Sequence, residues 1–113
     1  MKYPEFEYLD KESNKVKVVF TVSPELDWFK GHFYGMPVLP AVAVIAFMVH
    51  AAADNFESKS LSAVPQAKFM RIIKAGTVIK GELSWDSERC LLSFTLFENA
   101  DPEIIYAAGK LKF

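Results

Sequence analysis

The chain has 113 residues, a net charge of −1, and a composition that is 51% hydrophobic and 14% aromatic. That size and apolar content imply one domain, residues 1–113, with a full core, and exclude a disordered chain. The near-neutral balance lacks the basic face that phosphate neutralisation needs, so no nucleic-acid partner is expected, and the lone Cys90 excludes an intrachain disulfide or a CxxC motif and fits a reducing cytoplasm.

Residues 3–9 read as a weak extended segment in which Pro4 is an edge-type residue, followed by a polar turn at 10–14. The start of the chain holds no apolar run of the kind that opens a secretion signal. Residues 15–22 alternate, with Val16, Val18, Phe20 and Val22 on one side and Lys15, Lys17 and Thr21 on the other, the pattern of a half-buried strand. Ser23 is a good N-cap and Pro24 a good first helical residue, so a short helix begins there. Leu26 and Phe29 anchor it, and it ends at Gly31.

A glycine- and proline-rich loop follows, Gly31-His32-Phe33-Tyr34-Gly35-Met36-Pro37-Val38-Leu39-Pro40. It feeds an apolar helix that starts at Pro40 or Ala41, since proline is tolerated in a first turn, and runs to about Asn55. Apart from the prolines, His50 is the one polar side chain in residues 36–53. The run is near the minimum for a membrane span, but Pro37 and Pro40 shorten the usable helix, and a buried core helix is expected instead. A helix apolar on all sides has to be wrapped, and strands are the material available to wrap it.

Residues 63–75 show no helical period and read as a long strand closing at Ala75-Gly76. Residues 77–85 alternate, with Ile79, Leu83 and Trp85 opposite Lys80, Glu82 and Ser84, and residues 86–88 form a hairpin turn. Residues 90–97 alternate again, with Leu92, Phe94 and Leu96 inward and Cys90 as a small core residue. After a turn at 98–102, residues 104–113 make the last strand, with Lys110 and Lys112 on its wet face. Neighbouring strands joined by short turns pair antiparallel, so the fold class is α+β. Two histidines 18 residues apart and one cysteine supply no metal-ligand spacing, and no nucleotide-binding glycine loop is present.

The run Gly31-His32-Phe33-x-Gly35-x-Pro37-Val38-Leu39-Pro40 before an apolar helix resembles the 3-hydroxyacyl-[acyl-carrier-protein] dehydratases, nearest to their small ApeI-like members. The flank Asp27-Trp28-Phe29-Lys30 and the later Lys68-Phe69-x-x-x-Ile73-x-x-Gly76 extend the likeness. The resemblance implies a hotdog fold, an antiparallel sheet wrapped around one long apolar central helix. It implies a hydro-lyase of fatty-acid or polyene synthesis that removes water from a 3-hydroxyacyl thioester. His32 falls at the family's base, which takes the α proton, and Phe33, Tyr34, Gly35 and Pro40 shape the loop that receives the substrate. The amide that polarises the thioester carbonyl falls at Ala41, where the family usually carries glycine. Tyr34 stands where the family usually carries proline. The family acid falls at Ala46, fourteen residues after His32, and alanine has no proton to give.

Three sources of a replacement acid stay open. His50 lies one turn beyond Ala46 on the same helix face; read more plainly, it is a histidine stabilised near a helix C-terminus. Tyr34 or Asp27 lies near the loop. A second hotdog subunit can bring a carboxylate, because in the family the site is shared across a dimer. The resemblance implies no cofactor, the substrate being carried on the phosphopantetheine of acyl carrier protein or on CoA. Expected partners are acyl carrier protein or acyl-CoA and a homodimeric or heterodimeric hotdog mate, with larger assemblies open. A cytoplasmic protein with no membrane span fits. The rival reading, prompted by Ala46, is a non-catalytic hotdog subunit or acyl-binding partner of an active dehydratase. An acyl thioesterase is less favoured, because that chemistry wants a carboxylate to activate water. Lys68, Arg71, Lys74 and Lys80 read equally as a rim for an acidic carrier or as ordinary wet-face cations, and Asp54 and Asp27 as solvated carboxylates.

Overall fold

The structure, a computed structural model, describes residues 3–26 and 38–113. Six strands, β1 (Glu7–Leu9), β2 (Lys15–Thr21), β3 (Ala63–Phe69), β4 (Val78–Asp86), β5 (Leu91–Glu98) and β6 (Ile105–Lys112), accompany one helix, α1 (Ala41–Asn55). The strands form one antiparallel sheet in the order β1-β2-β4-β5-β6-β3.

The alternating stretches become the strands for a simple reason. A period of two puts Val16, Val18 and Phe20 of β2, Ile79, Leu83 and Trp85 of β4, Leu92, Phe94 and Leu96 of β5, and Ala107 and Leu111 of β6 on one buried face. Against that face lies α1, which contributes Ala43, Val44, Phe47, Met48, Ala51 and Ala52 to the core. Phe47 is fully buried, its ring 5.9 Å from that of Phe20 and 6.2 Å from that of Phe6. This is the expected α+β arrangement of one apolar helix on an antiparallel sheet.

The sheet covers one side of α1. On the other side Val42 is 60% exposed, and Ile45, Ala46 and Val49 are half-buried. The helix is apolar all round, yet among the described residues a stripe of it stays open. No helix among the described residues is long and apolar enough to cross a membrane.

Two local expectations are corrected. The strand read over 63–75 ends at Phe69, and the chain then crosses to the helix entrance, where Val38 and Lys74 form an isolated bridge. Every residue of β3 is exposed, because among the described residues this edge strand has neither the helix beneath it nor a strand beyond it, which is why no period marks it. Cys90 is not an inward strand residue. It closes the β4–β5 hairpin at a left-handed φ of 52°, half-buried at the rim of the core. The turn expected at Ala75-Gly76 is present, with Gly76 at φ 91°. Where a short helix is expected from Ser23, the described residues form a turn: the Glu25 amide donates to Ser23 Oγ at 3.2 Å and the Leu26 amide to the Ser23 carbonyl at 3.1 Å. Its continuation lies outside the described residues.

Candidate functional site

His32, Phe33, Tyr34, Gly35 and Asp27 lie outside the described residues, so the site is built from the helix they lead into. Pro40 is the N-cap of α1, with extended backbone at φ −71° and ψ 153° and no side-chain hydrogen bond to the helix. Its carbonyl accepts from the amides of Ala43 at 3.0 Å and Val44 at 3.4 Å. Among the described residues the amides of Ala41 and Val42 meet no acceptor. They are the donors that every helix start leaves over, at the positive end of its dipole. With no acidic residue in the first turn, nothing in the helix itself neutralises that end.

The entrance is pinned from the side. The Leu39 amide donates to the Ile73 carbonyl at 2.8 Å, next to the Val38–Lys74 bridge. A groove of about 260 Å³ opens there, lined by Val38, Ala41, Val44, Phe69, Met70, Arg71 and Ile72 among others. Its walls are apolar but for Arg71. Lys68 and Lys74 are exposed close by in the chain. Lys80 does not share this rim, since it sits on β4, beyond β5 and β6 from β3.

A second groove, of about 460 Å³, runs along the open stripe of α1 and is lined by Tyr3, Val42, Ile45, Ala46, Val49, His50, Ala53 and Leu61. Ala46 and His50 therefore share one hollow. The His50 ring stacks on Tyr3 at 4.6 Å and lies 5.5 Å from Phe6. His50 Nε2 is 3.5 Å from Asp54 Oδ2, and Tyr8 donates its hydroxyl to that same oxygen at 2.6 Å. Burial above all, and then the bond to Asp54, push the Tyr8 hydroxyl well above its ordinary range, so it stays a neutral donor. Asp54 is thus not merely solvated; it joins the helix to β1. The spacing of His50 and Asp54 at i and i+4 was a readable signal for half of this contact. Tyr8, 46 residues from Asp54, carried none. Among the described residues no cluster of His, Cys, Asp and Glu is arranged to hold a metal ion.

Residues 8–110 match the model of the ApeI-like family, described as ApeI dehydratase. The chain belongs to the ApeI-like dehydratase family. In the Xenorhabdus doucetiae dehydratase heterocomplex ApeI:P, a chain 27% identical superposes with a TM-score of 0.87, over 98% of this chain and 97% of that one. The hotdog fold follows from that match. A 3-hydroxyacyl-[acyl-carrier-protein] dehydratase FabZ of Lactobacillus helveticus is 31% identical over 71 residues, covering 56% of this chain and 48% of that protein. The FabZ of Lactiplantibacillus plantarum is 34% identical over 73 residues, covering 58% of this chain and 50% of that protein. This ApeI-like chain spans about half the length of the curated relatives it matches.

Proposed function

We propose that this chain dehydrates a 3-hydroxyacyl thioester carried on acyl carrier protein or CoA, within fatty-acid or polyene biosynthesis. His32 takes the α proton, the electron pair closes the α–β double bond, and the β C–O bond breaks as the hydroxyl takes up a proton, from solvent or from an acid in the assembled site, and leaves as water. The Ala41 amide holds the thioester oxygen as negative charge develops on it. The carrying observation is that amide, which meets no acceptor among the described residues, at the edge of an apolar groove and nine residues after His32. Family membership supports the same chemistry. The groove walls of Val38, Val44 and Phe69 suit an acyl chain, and Arg71 with its lysine neighbours suits an anionic carrier.

The open stripe of α1 and the outer edge of β3, unpaired among the described residues, favour work in a dimer, with a second copy or another hotdog subunit. Ala46 favours one alternative, a hotdog subunit whose partner performs the chemistry, and the likeness to a chain of a dehydratase heterocomplex supports it too. Dehydration of 3-hydroxyacyl-ACP is measured with the chain alone and with candidate hotdog partners. Turnover that falls on the order of a hundred- to ten-thousand-fold in His32→Ala is expected. Turnover that needs a partner and ignores His32→Ala selects the alternative.

A further inference from the structure

We propose that the outer edge of β3 disfavours a second copy of this chain and takes the edge strand of a different subunit, one that presents an acidic side chain opposite Lys68. This deepens the dimer reading above and rests on it.

The edge has the marks of an interface. Phe69 is 41% exposed, Met70 49% and Ile72 60%, and Val64 stands open earlier in the same strand. Phe69 also walls the groove at Ala41 and Val44, so the apolar surface runs from the strand edge to the helix. Clustered apolar exposure beside a strand edge that is unpaired among the described residues marks a place where another chain docks.

The backbone decides which chain. In an antiparallel ladder successive amides turn alternately to one neighbour and the other. The Met70 amide donates to the Tyr106 carbonyl at 2.8 Å, and the register from Gln66 opposite Lys110 to Phe69 opposite Ala107 runs without a break. The amides of Gln66 and Lys68 therefore face β6, and those of Ala67 and Phe69 face outward. A second copy pairs about a two-fold axis, which sets the residue on the axis against itself. The register that joins Ala67 of each copy to Phe69 of the other uses every one of these outward amides, and it puts Lys68 on the axis. Directly opposed side chains stand about 4.5–5.5 Å apart at Cβ, and like charges there are destabilising. Lys110, across from Gln66 on the same face, adds a further cation from each copy. Among the described residues no carboxylate pairs with Lys68. Moving the axis to Ala67 sets Phe69 against Pro65, which has no amide hydrogen to give. Moving it to Phe69 calls on Arg71, whose amide is turned to the Tyr106 carbonyl at 3.4 Å. Lysine and proline are residues with which edge strands deter their own copies.

A different subunit is free of the axis. An acidic residue opposite Lys68 turns the repulsive pair into an attractive one, while Ala67 and Phe69 keep their hydrogen bonds and apolar side chains cover Phe69 and the groove beneath it.

The test uses the full chain throughout, with Lys68→Glu as the acid-bearing probe strand. Labelled wild type is titrated with unlabelled wild type, Lys68→Gln and Lys68→Glu at low and high salt, with circular dichroism to confirm each fold and amide exchange to locate the contact. Wild type is expected to bind Lys68→Glu about three- to thirtyfold more tightly than it binds itself, with Lys68→Gln between them and the gap narrowing as salt rises. Exchange at Ala67 and Phe69 slows in the mixture. Wild type that binds itself as tightly as it binds Lys68→Glu, with Ala67 and Phe69 protected, overturns the inference and leaves the dimer reading standing. Association that leaves exchange at Ala67 and Phe69 unchanged overturns the role of β3. No association between folded wild type and Lys68→Glu also overturns the inference, and the dimer reading falls separately if candidate hotdog subunits fail to bind as well.

Discussion

Replacing Ala41 by proline removes one hydrogen atom of consequence. Ala41 is the first residue of α1, a position where proline's fixed φ suits the helix and its missing N–H breaks no helical bond. Pro40 before it already has the extended backbone that a following proline demands, at φ −71° and ψ 153°. Among the described residues the Ala41 amide has no acceptor to lose, so folding stability is expected to hold within about 1 kcal/mol. If that amide carries the thioester oxygen in the transition state, kcat falls about 100- to 1000-fold, equivalent to roughly 2.7–4 kcal/mol. Ala41→Gly keeps the N–H and controls for the change of shape; it retains turnover. The assay is steady-state dehydration of 3-hydroxyacyl-ACP beside a thermal melt. An Ala41→Pro protein with native melting and turnover within threefold of wild type refutes the oxyanion role.

Three further outcomes follow from the packing. Phe47→Ala empties a fully buried site ringed by Tyr3, Phe6 and Phe20, and costs about 3–5 kcal/mol in urea denaturation. Gly109→Ala drives a methyl group into the Gln66 carbonyl of β3, with Ala67 Cα and Phe94 Cζ each 3.1 Å away. Backbone cannot swing aside as a side chain can, so a loss of about 1–3 kcal/mol is expected, with amide exchange rising first in β3. Burial and then the hydrogen bond to Glu98 push the Tyr106 hydroxyl up from 10.0 to about 12. The unfolded chain releases this proton first, so the contribution is whole below pH 10.0 and disappears as pH climbs toward about 12. Denaturation midpoints across that window fall less steeply in Tyr106→Phe, and Tyr8, raised in the same direction, leaves a residual slope.

What the sequence made legible was whatever a short window can encode. Val16, Val18 and Phe20 declare their strand because one face is buried and the other is not. The apolar run from Ala41 to Asn55 declares its helix, to within one residue at its start. β3 declared no period because both of its faces are open, and without a buried face nothing forces an alternation. Cys90 was misread because alternation continues through it while its φ of 52° does not. The loop motif around His32 is local and pointed to the family at once. The partners of His50 are not local: Tyr3 and Tyr8 come from the other end of the chain, and closure of the fold brings them to the helix. Asp54 looked solvated because half of its environment is supplied by β1.

The bare start of α1 carries a last consequence. A serine or aspartate at the N-cap would add about 1 kcal/mol to the helix, and an acid in the first turn up to as much again. Pro40 supplies neither, and the first turn holds no acid. Such a cap bonds the second or third amide of the helix, and so sets a competing acceptor one or two residues from the Ala41 amide that a thioester oxygen needs. Directed selection for thermal stability is therefore expected to find capping substitutions at position 40 early, and those variants should melt higher while turning over less.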